Sequence, residues 1–279
     1  MRIEMSALRC RLALPVVVSL LELTGFLGAG TAVAEEAKRF SGYLAAGGAI
    51  VPGYEGSKDY RAVPFAAARL SYDNYYVEAL GPKIRANVVP SMGSGFGIEA
   101  GPSVAYRFGR TDVKDARVDA LREIDNSLAV GGFAKVVSRG LFQKSDELAF
   151  EVEALTGVGD HKTGTTIGFG PSYSFSPFDR TRLGFKAFAT YADDQYNQTY
   201  FGIDADNALR SGFSTYDAKA GIKDVSFSTT LTYALTKQWA VTGTVGVKRI
   251  MGDAADSLIV KDAGSATQGF FSTGVVFRF

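Results

Sequence analysis

Cysteine and histidine are almost absent from this chain: Cys10 and His161 are the single copies in 279 residues. A disulfide framework is therefore excluded, and so is a metal site built on histidine or cysteine. Proline is scarce, with 8 copies against 32 glycines, and no Pro-rich low-complexity stretch occurs. Neither sign of charge prevails, 30 basic residues against 29 acidic ones, which speaks against a nucleic-acid partner. Beyond residue 34 no run of 18 apolar residues occurs, so helical membrane spans are excluded.

Residues 1–34 read as a secretory signal peptide. Arg2, Arg9 and Arg11 make a basic start, Pro15 to Gly30 an apolar run broken by Glu22, and Ala32-Val33-Ala34 a small-x-small cleavage site. Cleavage there removes three Arg, two Glu and Cys10, leaving the two charge signs equal. The mature chain is expected to be one domain, 35–279.

What the chain has is a period of two. Phe227, Thr229, Leu231, Tyr233 and Leu235 alternate with Ser226, Ser228, Thr230, Thr232 and Ala234. Residues 166–175, 182–191 and 239–248 alternate in the same way. Such segments are strands with one apolar and one polar face. The polar face is mostly Gly, Ser, Thr and Ala with isolated charges, too small and too neutral for a solvated outer surface. It suits the lumen of a closed barrel, with the apolar face toward lipid. Eleven residues rising about 3.3 Å each, tilted by about 40°, span about 27 Å, close to the apolar band of outer-membrane barrels.

Twelve strands are expected, at 41–51, 61–71, 75–80, 84–89, 96–107, 126–138, 147–157, 164–175, 181–191, 222–235, 238–248 and 268–279. The first four alternate weakly, so a ten-stranded barrel stays open. Short connections such as "YDN", "SPFDRT" and "TKQ" mark the periplasmic end, and long ones such as Gly109–Asp125 and Ala192–Gly221 the outer end. The chain finishes on "STGVVFRF". Ser272, Gly274, Phe277 and Phe279 match the terminal pattern read by the barrel-assembly machinery, and the last strand is expected to pair with the first, leaving no free edge.

No catalytic, cofactor or metal residues stand out. His161 lies in a turn, "GDHKTG", and the Gly-rich stretches lack the spacing of phosphate loops. The expected lumen face carries Glu78, Glu99, Glu151 and Glu153 with Arg107, Lys135, Lys186 and Lys248. These charges could line a pore or pair and plug it, and pairing is favoured because a lone charge in a narrow lumen is costly. Acidic loop clusters (Asp193, Asp194, Asp204, Asp206, Asp253, Asp256) are expected to be solvated rather than calcium-binding. Tyr54, Tyr200, Phe201, Asp253 and Asp256 are candidate loop contacts.

Three loop stretches together resemble the MipA/OmpV family: "PGYEGSKDYRAVP" at 52–64, "YNQTYFGIDADNALRSGFSTYDAKAG" at 196–221 and "GDAADSLIV" at 252–260. Asn197 stands where an apolar residue is expected and Leu258 where a Pro is. The resemblance covers about 43–279. It implies a non-enzymatic outer-membrane barrel of a Gram-negative bacterium, in contact with outer-membrane lipid and lipopolysaccharide. It also implies a scaffold between a lytic transglycosylase and a peptidoglycan synthase. A small porin and a surface adhesin acting through the 192–221 loop are the alternatives.

Overall fold

A computed structural model describes residues 40–90, 95–111, 113–159 and 163–279. The signal segment with Ala32 and Ala34, and His161, lie outside the described residues.

Twelve antiparallel strands form a closed barrel in which each strand pairs with its sequence neighbours and the last returns to the first. They are β1 (Phe40–Pro52), β2 (Tyr60–Tyr72), β3 (Tyr75–Leu80), β4 (Lys83–Asn87), β5 (Phe96–Arg107) and β6 (Ser127–Arg139), then β7 (Glu147–Val158), β8 (Thr165–Phe178), β9 (Thr181–Ala192), β10 (Gly221–Ala234), β11 (Trp239–Ile250) and β12 (Thr267–Arg278). The expected count of twelve therefore holds, with boundaries that coincide for β3 and β5 and shift by at most three residues elsewhere. No helix among the described residues is long and apolar enough to cross a membrane.

The two faces point as the alternation predicts. Leu44, Ile50, Leu70, Val77, Phe227, Leu231, Val245 and Phe271 stand exposed on the outside, while Tyr43, Glu78, Glu99, Lys135, Glu151 and Ser272 are buried within. Outward aromatic rings gather near the periplasmic end, with Trp239 packed on Phe277 at 4.9 Å and Phe40 on Tyr72 at 4.7 Å. Tyr60, Tyr106 and Tyr191 stand outward near the other end. Two such girdles are what an apolar band between water interfaces requires.

The seam is made by β1 and β12, in register from Tyr43 opposite Arg278 to Ile50 opposite Phe271. Gly47 faces Gly274 across it. A Cβ on Gly47 would fall 2.0 Å from the Thr273 carbonyl oxygen and 2.8 Å from the Phe65 ring. The glycine pair is thus the space in which the Phe65 ring lies. Phe188 and Phe270 cover Gly168 and Gly246 in the same way. Glycines of the small face therefore make room for inward aromatic rings, a way of filling a curved sheet.

One part of the wall is low. The β3–β4 hairpin has only six and five residues, and its tip is tied by Gly81 N–H to Ala66 O and by Tyr106 N–H to Pro82 O. Above Ala66, β2 pairs only with β1, so its second edge is without a strand from Tyr60 to Phe65. Because Ala66 turns its backbone groups toward the hairpin, Pro64, two residues on, does the same. Pro64 has no N–H to leave unpaired, so the edge loses one orphan donor. The Gly81-Pro82 turn, short although it lies toward the outer end where long connections are expected, is the tip of this hairpin.

The outer loops are not irregular. They carry α1 (Ala116–Asp119), α2 (Asp194–Phe201), α3 (Ala205–Ser211), α4 (Gly252–Asp256) and α5 (Leu258–Lys261). Asp115, Asp193 and Asp204 cap the first three, each carboxylate accepting from backbone N–H groups of the first turn. The loops share two apolar clusters. One joins Tyr196, Tyr200, Phe201, Ala218, Ala254 and Val260; the other joins Tyr54, Val118, Leu121, Ile203, Phe213 and Ile259.

Candidate functional site

The lumen is the place where strand geometry converges the charges. In the periplasmic half, five carboxylates and six cations interlock. Glu78 accepts from Arg85 Nε at 2.9 Å and from Tyr43 Oη at 3.0 Å, with Arg69 Nη1 at 3.6 Å. Arg85 also donates to Glu151 at 2.9 Å, and Lys186 approaches Glu151 at 3.6 Å from β9, two strands away. Glu153 holds Lys83 and Ser103. Lys135 lies 3.5 Å from Glu147 and 3.9 Å from Glu99, and Arg139 reaches the same two carboxylates at 3.0 and 3.4 Å. Glu78 and Lys135, at 1% and 0% exposed, form the shielded centre of this layer, and Arg139, 44% exposed at its side chain, marks its wet edge. Beside it a cavity of about 50 Å³ is lined by Lys83, Arg85, Glu151, Lys186 and Phe188, room for a few waters only.

A second charge cluster sits under the loops. Glu55 receives Lys223 at 2.7 Å, Lys248 at 3.4 Å and the Tyr196 hydroxyl at 3.0 Å. Asp224 completes the group, paired with Lys223 and 3.7 Å from Lys248. Burial alone would raise the Glu55 carboxyl, but Lys223 and Lys248 together outweigh it and hold it at about 2. A register shift at Ile222/Asp224 in the β9–β10 ladder lets Lys223 and Asp224, neighbours in sequence, both turn inward. Above this cluster the two apolar loop clusters close the barrel mouth as a cap.

Of the charges expected in the lumen, Glu78, Glu99, Glu151, Glu153, Lys135, Lys186 and Lys248 are brought into ion pairs. Arg107 is not. Its guanidinium donates instead to Thr163, Gly164, Leu155 and Thr166 at 2.8–3.3 Å and lies 5.0 Å from the Tyr196 ring centroid. Arg69, Lys83, Arg85, Arg139 and Glu147 escaped the sequence reading. Weak alternation in the first four strands hid Arg69, Lys83 and Arg85, and the other two stand at the ends of β6 and β7. Glu55 lay in plain view within "PGYEGSKDY", but a loop residue gives no sign of pointing down into a barrel.

The candidate loop contacts separate. Tyr54, Tyr200 and Phe201 are 8%, 8% and 1% exposed; they are the core of the cap, not its surface. Asp256 is exposed, and Asp253 accepts from the Lys219 N–H at 2.9 Å. Asp193 is half-buried and Asp194 exposed; both also accept from backbone N–H groups, those of Thr165 and Tyr196 for the first and Ala220 for the second. Asn197, unusual by resemblance, is buried and donates to the Lys219 carbonyl at 2.6 Å, while Leu258 packs against the second cap cluster. Ser272 and Gly274 face the lumen and Phe279 the outside; Gly42 and Phe279 exchange both backbone hydrogen bonds at 3.1 Å.

Among solved structures, the chain is similar to the NanC porin (10% identity, 84% of this chain and 98% of that one, TM-score 0.47). It is also similar to an outer membrane channel from Pseudomonas putida F1 (11% identity, 86% and 95%, TM-score 0.47). A third likeness is to OmpT, an outer membrane protein of Vibrio cholerae (7% identity, 86% and 96%, TM-score 0.40). A search of curated proteins returned no match. The family model of the MltA-interacting protein MipA matches residues 44–279, nearly the whole barrel. The protein is an outer-membrane β-barrel of a Gram-negative envelope, and the chain belongs to the MltA-interacting protein MipA family.

Proposed function

We propose that this barrel is a non-conducting, non-enzymatic scaffold of the envelope that holds a peptidoglycan-remodelling enzyme at the inner face of the outer membrane. The observation that carries the reading is the filling of the lumen: a layer of paired charges below and an apolar-cored cap above. A barrel that passes nothing must act through its surfaces. At the periplasmic end, Leu141, Phe142 and Phe178 are 51%, 74% and 75% exposed. The turn that carries the first two is rigid, because the Asp146 carboxylate accepts from the N–H groups of Leu141, Phe142 and Gln143 at 2.8–3.0 Å. Exposed apolar side chains on a fixed turn suit a protein partner, and the family is named for interaction with MltA, which favours a lytic transglycosylase as that partner.

The test is single-channel recording of the refolded barrel, with heat-modifiable gel mobility as the folding control, and pull-down of a lytic transglycosylase. Silence together with capture that is lost in the Phe142→Ser/Phe178→Ser variant is the expected result. Discrete conductance steps from folded protein would favour the porin alternative and overturn this one.

A further inference from the structure

Beside the low part of the wall, under the cap, lies a cavity of about 150 Å³ whose lining includes Arg110, Arg107, Glu55, Tyr54, Tyr196 and Tyr200, with Tyr106 and Phe108 at its outer side. Arg110 is 7% exposed. Its backbone is pinned to Ile124 by two hydrogen bonds, 2.9 and 3.2 Å, and its guanidinium donates to the Tyr200 carbonyl at 2.9 Å. No carboxylate pairs with it among the described residues. Burial pulls its pKa down to about 10, as expected of a cation held without a counter-ion. The Tyr200 hydroxyl is buried in the same wall, beside the hydroxyls of Thr163 and Ser127.

The other charges around the cavity do not neutralise Arg110. Glu55 is matched by Lys223 and Lys248 together with Asp224, two charges of each sign. Asp59 and Asp115, which face Tyr54, are taken by Lys114 and Lys58. Arg107 adds a second positive charge, fully hydrogen-bonded to neutral groups. The cavity is therefore cationic and has one guanidinium with donors to spare, a fork that matches a carboxylate.

Its remaining walls are rings. Tyr196 and Tyr200 lie tilted by 30° with ring centroids 4.5 Å apart, and Tyr106 and Phe108 edge to face at 4.9 Å. A volume of about 150 Å³ is the size that accepts a benzene ring. Tyr106 is tied to the hairpin tip through its N–H and is half-exposed on the outer wall, so the cavity borders the notch where β2 has no neighbour. A ligand need not traverse the plugged lumen to reach it.

We propose that this cavity is a binding site for a small aromatic carboxylate, its carboxylate on Arg110 and the Tyr200 hydroxyl and its ring among Tyr54, Tyr196 and Phe108. The experiment is calorimetric titration of the full-length folded barrel with benzoate, benzyl alcohol and inorganic phosphate as separate probes. Benzoate should bind saturably and at least tenfold more tightly than either of the others. Arg110→Gln should weaken benzoate by about 10- to 100-fold, the loss of a charge-assisted hydrogen bond, and leave benzyl alcohol unchanged. Because Arg110→Gln could disturb the cap, Tyr200→Phe serves as the second variant; it keeps the ring packing and should weaken benzoate severalfold. Absence of benzoate binding by folded protein would overturn the assignment. So would equal binding of benzyl alcohol or phosphate, or undiminished affinity in both variants.

Discussion

Glu78→Gln is the substitution that most directly weighs the plug. Glu78 is 1% exposed and faces Arg85 at 2.9 Å and Arg69 at 3.6 Å. At those separations a unit pair is worth about 5 kcal/mol at an effective dielectric of about 20, but only about 1 kcal/mol in water. Desolvation offsets much of the first figure while the pair is intact. Removing one partner exposes the full cost, typically about 3–5 kcal/mol, because the other charge stays buried and uncompensated. The amide keeps the size of the side chain and an acceptor for Tyr43, so packing should not confuse the result. Here the layer already has one more cation than carboxylates, and Glu78→Gln widens that excess. Urea unfolding of the barrel in lipid vesicles, followed by heat-modifiable mobility, should therefore show a loss of about 3–5 kcal/mol. Adding Arg69→Met should recover more than 1 kcal/mol of it, the coupling expected of contacting residues. A loss below about 1 kcal/mol, the value of a solvated surface pair, would refute the reasoning: it would mean that water fills the lumen around these charges.

Three further outcomes are expected. The Glu55 carboxyl is held at about 2 in the folded protein against an ordinary value of 4.5, so its contribution is complete above about pH 5 and is lost as pH falls toward 2; protease cleavage within residues 192–221 should rise over that window in the wild type and already be high at pH 7 in Glu55→Gln. Phe201→Ala should destabilise the cap by about 3–5 kcal/mol, read as faster amide exchange in α2 and α4 with the heat-modifiable barrel intact, and unchanged exchange would remove Phe201 from the cap core. Gly274→Val places side-chain atoms where a Cβ already meets the Ala46 carbonyl oxygen at 2.6 Å; barrel closure in an assembly assay should slow strongly, more than with Phe279→Ser, which is expected to impair recognition by the assembly machinery without blocking the seam.

The barrel could be read from the chain because its signal is local. A strand buried on one side and facing lipid on the other must alternate, so Phe227 to Leu235 declare both faces without reference to any other segment. The same holds for the pairing of the last strand with the first, since an open edge in lipid would leave backbone groups unsatisfied. Which charge meets which could not be read in this way. Glu151 and Lys186 stand on β7 and β9, separated by β8, and meet only because the closed wall curves them toward one axis. The cap was hidden for a different reason. Its helices have four to eight residues, too short for a helical period to emerge, so Tyr200 and Phe201 looked like loop anchors until tertiary packing buried them. Arg110 is the extreme case: alone in sequence it is one basic residue among 30, and its lack of a counter-ion among the described residues emerges only where the cap, β5 and the end of the short hairpin meet.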